Sequence, residues 1–210
     1  MSLDQKVRET LDIDKRLYFL FLCLVSFLIL MAKKILIENE TAAFEILESR
    51  GQMGIFNAIN AFQYFAIPII YLWKFTVIAF LIWLGSFAFG YKITYTKCWQ
   101  IAMIAETIFL VPEFIKLGHF YFTASDPTLF DIRAYYPLSL MSFADYQSLE
   151  PKWHYPLKAL NVFEVIYWII LIYGVQLAAR KRPEIAGAIV FSSYILFFMM
   201  WLWFYVTVYK

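Results

Sequence analysis

Charge is scarce in this chain. Asp, Glu, Lys and Arg make up 16% of its 210 residues, against roughly 25% in an ordinary soluble domain. Cysteine is scarce too. Cys23 and Cys98 are far apart and fall in or near apolar stretches, a spacing that suits neither a disulfide framework nor a metal site. They are expected to be small buried thiols. There are two histidines, His119 and His154, with no HxxxH, HExxH or DxxD pattern to join them, so no metal or other cofactor is expected. No GxSxG nucleophile turn and no phosphate-binding glycine loop is present. The net charge of +2 comes without a Lys/Arg stripe, so nothing points to nucleic acid.

What fills the chain instead is apolar. Hydrophobic residues are 62% of it, and Phe, Tyr and Trp number 22, 15 and 7. One soluble core of this size cannot hide that much apolar surface, and a disordered chain does not carry it. The expected fold class is all-α: a polytopic membrane protein forming one domain. It is a bundle of five transmembrane helices, with an amphipathic interfacial helix before the second span.

The spans are expected at 17–37, 68–89, 99–122, 157–178 and 185–208, each about the 20 residues a bilayer requires. The run after Arg16 ends in Met31-Ala32-Lys33-Lys34 without a small-x-small cleavage pattern, so it reads as an uncleaved first span. Residues 38–50 alternate acids with apolar residues and read as a helix lying on the surface. Asn57, Asn60 and Gln63 recur every three residues, which makes 55–66 a partly buried interfacial helix. Pro68 then sits where proline is tolerated, in the first turn of the second span. Residues 123–156 form the longest loop.

Basic residues set orientation. The amino-terminal tail and the 90–98 and 179–184 turns carry nine Lys/Arg at high density. The other side carries seven, diluted by eight acids. The amino terminus is therefore expected in the cytoplasm and the carboxyl terminus outside. Lys33-Lys34 runs against this pattern.

Ionisable residues inside a span cost about 2.5 kcal/mol or more unless paired or hydrated. Five qualify: Lys74, Glu106, Glu113, Lys116 and Glu164. Counting about 1.5 Å per residue from the expected span ends brings Lys74, Glu113 and Glu164 to one depth in the outer half, with Lys116 able to share Glu113. Glu106 is one heptad before Glu113, so both point the same way. Pro112 frees the carbonyl of Ile108 and is expected to kink the third span. Two readings of this intramembrane charge cluster stand together: a structural pairing, and a ligand or proton pathway.

Several segments resemble the Yip family, five-span membrane proteins named for interaction with Rab-type GTPases. Residues 90–98 (GYKITYTKC) resemble that family's short Gly-Lys-polar turn after span two. WQIAMIAETIFLVPEFIKL resembles the span that opens with small residues and ends near a Pro. LKALNVFEVIYWIILIYGVQ, residues 157–176, resembles the signature of an acid near Phe and Trp, then an apolar run closing with Gly174. The resemblance covers roughly 60–205 and implies a non-enzymatic role through binding partners. The acidic 38–50 segment and the long aromatic loop depart from it.

The first expectation is a non-enzymatic integral protein of a bacterial inner membrane. It would be an accessory or scaffold subunit meeting other membrane subunits or its own copies, with Glu38, Glu40, Glu45 and Glu48 as docking residues. The second is a small transporter or channel-type permease using the Lys/Glu cluster. The third is a lipid-handling enzyme, for which no catalytic set is found.

Overall fold

A computed structural model describes residues 14–38, 53–123, 128–180 and 182–209. Every regular element among them is helical, and the lone β-bridge joins Ser139 to Asn161. Four helical stretches are long and apolar enough to cross a bilayer: Lys15–Ile37, Ala61–Ala88, Val162–Ala179 and Pro183–Val208. Their outward faces carry large apolar side chains: Trp73 is 72% exposed and Trp203 71%. A surface of that kind belongs against hydrocarbon rather than water.

The elements run as follows. Helix α1 is Lys15–Lys33 and continues into a π-helical turn, Lys34–Glu38. Helix α2 is Met53–Ala88. Helix α3 is Tyr95–Glu106, then a 3-10 turn at Thr107–Phe109 leads into α4, Leu110–Thr123. Short helices α5 (Leu129–Ala134) and α6 (Pro151–Ala159) follow. Helix α7 is Val162–Ala179. Helix α8 (Pro183–Val190), a π-helical turn (Phe191–Ile195) and α9 (Leu196–Val208) close the chain without a gap.

Three expectations change. Pro68 lies inside α2 rather than at its start, so no break separates 55–66 from the second span. Apolar surroundings make non-helical backbone costlier still, which is why proline persists within spanning helices. The fourth span begins at Val162, because α6 ends at Ala159 and the chain turns at Leu160–Asn161. The Asn161 side-chain amide donates to the carbonyls of Lys158 and Ala159 at 2.9 Å, capping α6 there. Finally, the 123–156 segment holds α5, a 3-10 turn at Leu140–Phe143 and most of α6. The surface helix expected at 38–50 falls almost wholly outside the described residues.

Each departure from regular α geometry has a local cause. Pro112 offers no N–H to the carbonyl of Ile108 and crowds it, and the helix tightens to 3-10 geometry at Thr107–Phe109. At the end of α2, Gly90 takes φ +77°. Its N–H donates to Phe87 O at 2.9 Å, and that of Tyr91 to Ser86 O at 2.8 Å, a Schellman closure that favours glycine. In the π turn, the Ser192 hydroxyl donates to Ala188 O at 2.8 Å and that of Ser193 to Ile189 O at 2.7 Å.

The chain divides into two compact units. One comprises residues up to Leu20, Leu72–Ile108 and Phe163 onward; the other comprises Phe21–Tyr71 and Phe109–Val162. In the first, helices approach closely at glycines. A Cβ on Gly85 would stand 2.7 Å from Ser193 Cβ, and one on Gly174 would stand 2.6 Å from Ile101 Cγ2. Phe19, Phe75 and Trp99 form a ring cluster with centroids 5.4–6.3 Å apart.

In the second unit, Ile37, Phe120 and Ile132 form a buried cluster flanked by Leu117 and Tyr135. His119 stacks on Tyr135 at 4.2 Å. Helix α5 opens on a capping box. Thr128 donates to the Asp131 carboxylate from its hydroxyl at 2.6 Å and its backbone N–H at 3.0 Å, while Asp131 N–H returns to the Thr128 hydroxyl. These donors, the hydroxyl first, hold the Asp131 carboxyl below the usual carboxylate range.

Two outcomes follow. Gly85→Ala and Gly174→Ala should each cost about 1–3 kcal/mol through overpacking, read as a lower midpoint in thermal unfolding in detergent. Gly118→Ala, where a Cβ meets open space, should be neutral or stabilising. The depressed Asp131 carboxyl stabilises α5 fully above its unfolded value near ~3.9. That contribution is lost as pH falls through the lower folded value. Protection of the α5 amides, measured against their intrinsic exchange rates, should therefore fall below about pH 4, and Asp131→Asn should remove that fall.

Candidate functional site

Of the five ionisable residues singled out, Lys74, Glu106 and Glu164 belong to the first unit and Glu113 and Lys116 to the second. In the first unit, α2 delivers Lys74, α3 delivers Glu106 and α7 delivers Glu164. Lys74 Nζ donates to Glu106 Oε1 at 2.7 Å. Glu106 is the last residue of α3, and its side chain is 5% exposed against 36% for Lys74. Glu164 is buried in the first turn of α7, where the helix dipole favours a carboxylate. It feels the attraction of Lys74 and the repulsion of Glu106.

Aromatic side chains complete this first group. Glu164 Oε1 accepts from Trp168 Nε1 at 2.8 Å, one turn along α7, and from the Tyr194 hydroxyl at 3.0 Å. Tyr194 comes from the π turn that interrupts the last helix. The Tyr167 ring packs against Tyr194 at 5.5 Å and is fully buried. Its hydroxyl feels both Glu106 and Glu164. The Tyr18 hydroxyl of α1 is hydrogen-bonded to that of Thr107, the residue after Glu106. Glu106 Oε2 is buried and has no hydrogen-bond partner among the described residues.

Glu113 belongs to the second group, with a different partner. It is ion-paired with Lys33 at the end of α1. Lys116 donates to the carbonyl of Ile132 in α5. Lys74 stands fourteen residues before the end of α2 at Ala88 and Glu106 eleven residues after the start of α3 at Tyr95, so the connection at 89–94 lets the two helices bring this pair together.

Of the basic pair that runs against the orientation pattern, Lys33 has its charge met by Glu113. Among residues that sequence reasoning did not single out, Trp168 was legible as the i+4 neighbour of Glu164. Tyr167 and Tyr194 carried no signal separable from the general aromatic excess. Of the docking acids, Glu40, Glu45 and Glu48 lie outside the described residues, and Glu38 closes the π turn after α1.

The polar segment ahead of α7 is ordered by its own contacts. Lys158 donates to the Arg133 carbonyl, and its ammonium stands 4.8 Å over the Tyr146 ring. Burial, and after it the like charge of Arg133, push the Lys158 ammonium below the usual lysine range. The His154 ring lies 3.1 Å from Tyr146 O and 3.2 Å from Leu149 O. His119 and His154 are thus engaged by separate aromatic partners. Among the described residues, no three His, Cys, Asp or Glu side chains are grouped to hold a metal ion.

No protein-family model, curated protein or solved structure matches this chain.

The chemistry available in the first unit is that of charge held away from water. One ammonium faces two carboxyl groups, and hydroxyl and indole donors surround them. Removing the ammonium alone strands the carboxylates. Lys74→Met should destabilise the protein by about 3 kcal/mol, and adding Glu106→Gln should restore a large part of that loss. A double-mutant cycle on unfolding in detergent checks the coupling. Additive effects would mean the pair does not interact.

Proposed function

We propose that this chain is a five-span integral membrane protein of permease type, and that the Lys74–Glu106–Glu164 group is its working element. The observation that supports this is the burial of two carboxyl groups against one lysine between helices that carry apolar faces outward. Ionisable groups kept inside spans mark ion and proton routes in membrane proteins. The fifth span is the stretch Tyr95–Thr123, whose two helices and 3-10 turn run far enough to cross a bilayer. Five spans are also what the Yip resemblance implies. An odd number sets the termini on opposite sides, with the amino terminus in the cytoplasm of a bacterial inner-membrane cell by the basic-residue pattern.

A second reading is the accessory or scaffold subunit, in contact with other membrane chains or further copies of this one. It draws on the aromatic outer faces of α2 and α9, where Phe65, Trp73, Phe87 and Trp203 stand well exposed. Tryptophan and other aromatics are enriched where membrane and protein surfaces meet.

The purified chain in lipid vesicles should dissipate an imposed pH step faster than empty vesicles, read by an internal pH dye. Glu106→Gln and Glu164→Gln should abolish the difference, while Glu184→Gln on the exposed start of α8 should keep it. Vesicles no leakier with the protein than without it sink the permease reading. Co-purification of other chains from mild detergent then favours the subunit. Cysteine labels at Ser2 and Tyr209 should react with an impermeant reagent from opposite sides of the membrane, the second from outside the cell.

A further inference from the structure

We propose that Glu106 is the proton-exchange residue of this group: its Oε2 takes up and gives back one proton, while Glu164 serves as a fixed acceptor. The inference rests on the permease reading for its use, but not for its chemistry.

The first argument is the charge count. With all three groups ionised, Lys74 meets two carboxylates and leaves one negative charge in excess. A single proton removes that excess. Two carboxyls that sense each other electrostatically do not ionise independently, so the site titrates as a unit.

The second argument assigns the proton. Glu164 Oε1 already accepts two hydrogen bonds, from Trp168 at 2.8 Å and from Tyr194 at 3.0 Å. The other Glu164 oxygen is not among the buried oxygens that lack a partner, and a proton on Oε1 would have to displace a donor. Glu106 Oε1 accepts from Lys74 at 2.7 Å, so the same holds for it. Glu106 Oε2 is buried and accepts from nothing among the described residues. A proton bonded there breaks no existing hydrogen bond. A buried polar atom without a partner calls for an explanation, and a proton taken up at Oε2 supplies one.

The third argument is elimination among the neighbours. The groups facing the site are Lys74 from α2, Glu164, Tyr167 and Trp168 from α7, Tyr194 from the π turn, and Tyr18 from α1 beside Thr107. Of these groups only the two carboxylates carry the excess negative charge, so a carboxyl oxygen is where the added proton goes. The neighbouring backbone suits exchange. Glu106 is followed directly by a 3-10 turn, and Tyr194 sits within a π turn. Such interruptions of an α-helix recur at moving and functional positions.

The step is a simple one: the Oε2 lone pair forms an O–H bond with an incoming proton, and the bond breaks to return it. Infrared spectra of the full chain in lipid vesicles, titrated from about pH 9 to about pH 3, read it directly. That range includes the ordinary carboxyl values. Subtracting the Glu106→Gln titration from the wild type should leave one carboxyl that interconverts between its carboxylate and acid bands, and the acid band should shift in heavy water. Glu106→Asp should move that band rather than remove it, which keeps the test open should the glutamine variant fail to fold. A Glu106 signal that stays carboxylate throughout, or an acid band blind to heavy water, overturns the inference. So does loss of the acid band when sodium is added at fixed pH, since the site would then take a metal cation. A titrating Glu106 in vesicles without flux would sink the permease reading alone. Flux alongside a Glu106 that never titrates would sink this inference alone.

Discussion

Hydrocarbon offers no partner for a charge, so every ionisable group within these helices has to meet its counterpart inside the protein. This constraint decides much of the arrangement. Lys74 meets Glu106, Lys33 meets Glu113, and Glu164 is held by an indole and a phenol. Each contact joins separate helices or successive turns of one helix. The polar contacts therefore fix the helical register as firmly as side-chain packing does. Apolar faces alone tolerate sliding, since one leucine seen by lipid resembles the next.

The same constraint explains where the helices depart from α geometry. A carbonyl freed by a π turn cannot turn to water in a spanning helix, and Ser192 and Ser193 supply hydroxyl donors there. Close helix approach is handled by removing side chains. Gly85 and Gly174 admit Ser193 and Ile101 at distances that a Cβ forbids. The aromatic excess finds part of its explanation here too. Phe19, Phe75 and Trp99 pack as one cluster, and Trp168, Tyr194 and Phe198 form a second line of rings. Other rings, such as Trp73 and Phe122, point outward.

Helical class and four apolar spans were legible because long apolar runs have one physical use. The limits of those runs were less legible. Pro68 looked like a beginning because proline is costly inside a soluble helix, yet α2 continues through it. With the apolar stretch beginning at Ala61, Lys74 lies further along it than a start at Pro68 implied. The Lys33–Glu113 contact was harder to foresee. It joins residues 80 positions apart that no turn relates, and Lys33 had been counted among loop charges. Tyr194 was hidden because it reaches Glu164 through a π turn, which displaces side chains from the positions that simple periodicity assigns.

The Lys33–Glu113 pair has a consequence for how the chain is made. A ribosome completes the first span long before Glu113 exists, so Lys33 stands at the end of that helix as a bare cation through the synthesis of all of α2 and α3. Insertion of the first span is therefore carried out on a charge distribution different from that of the finished protein. Only when α4 emerges does the counter-charge arrive. The pair thus joins the earliest hydrophobic segment to one made much later.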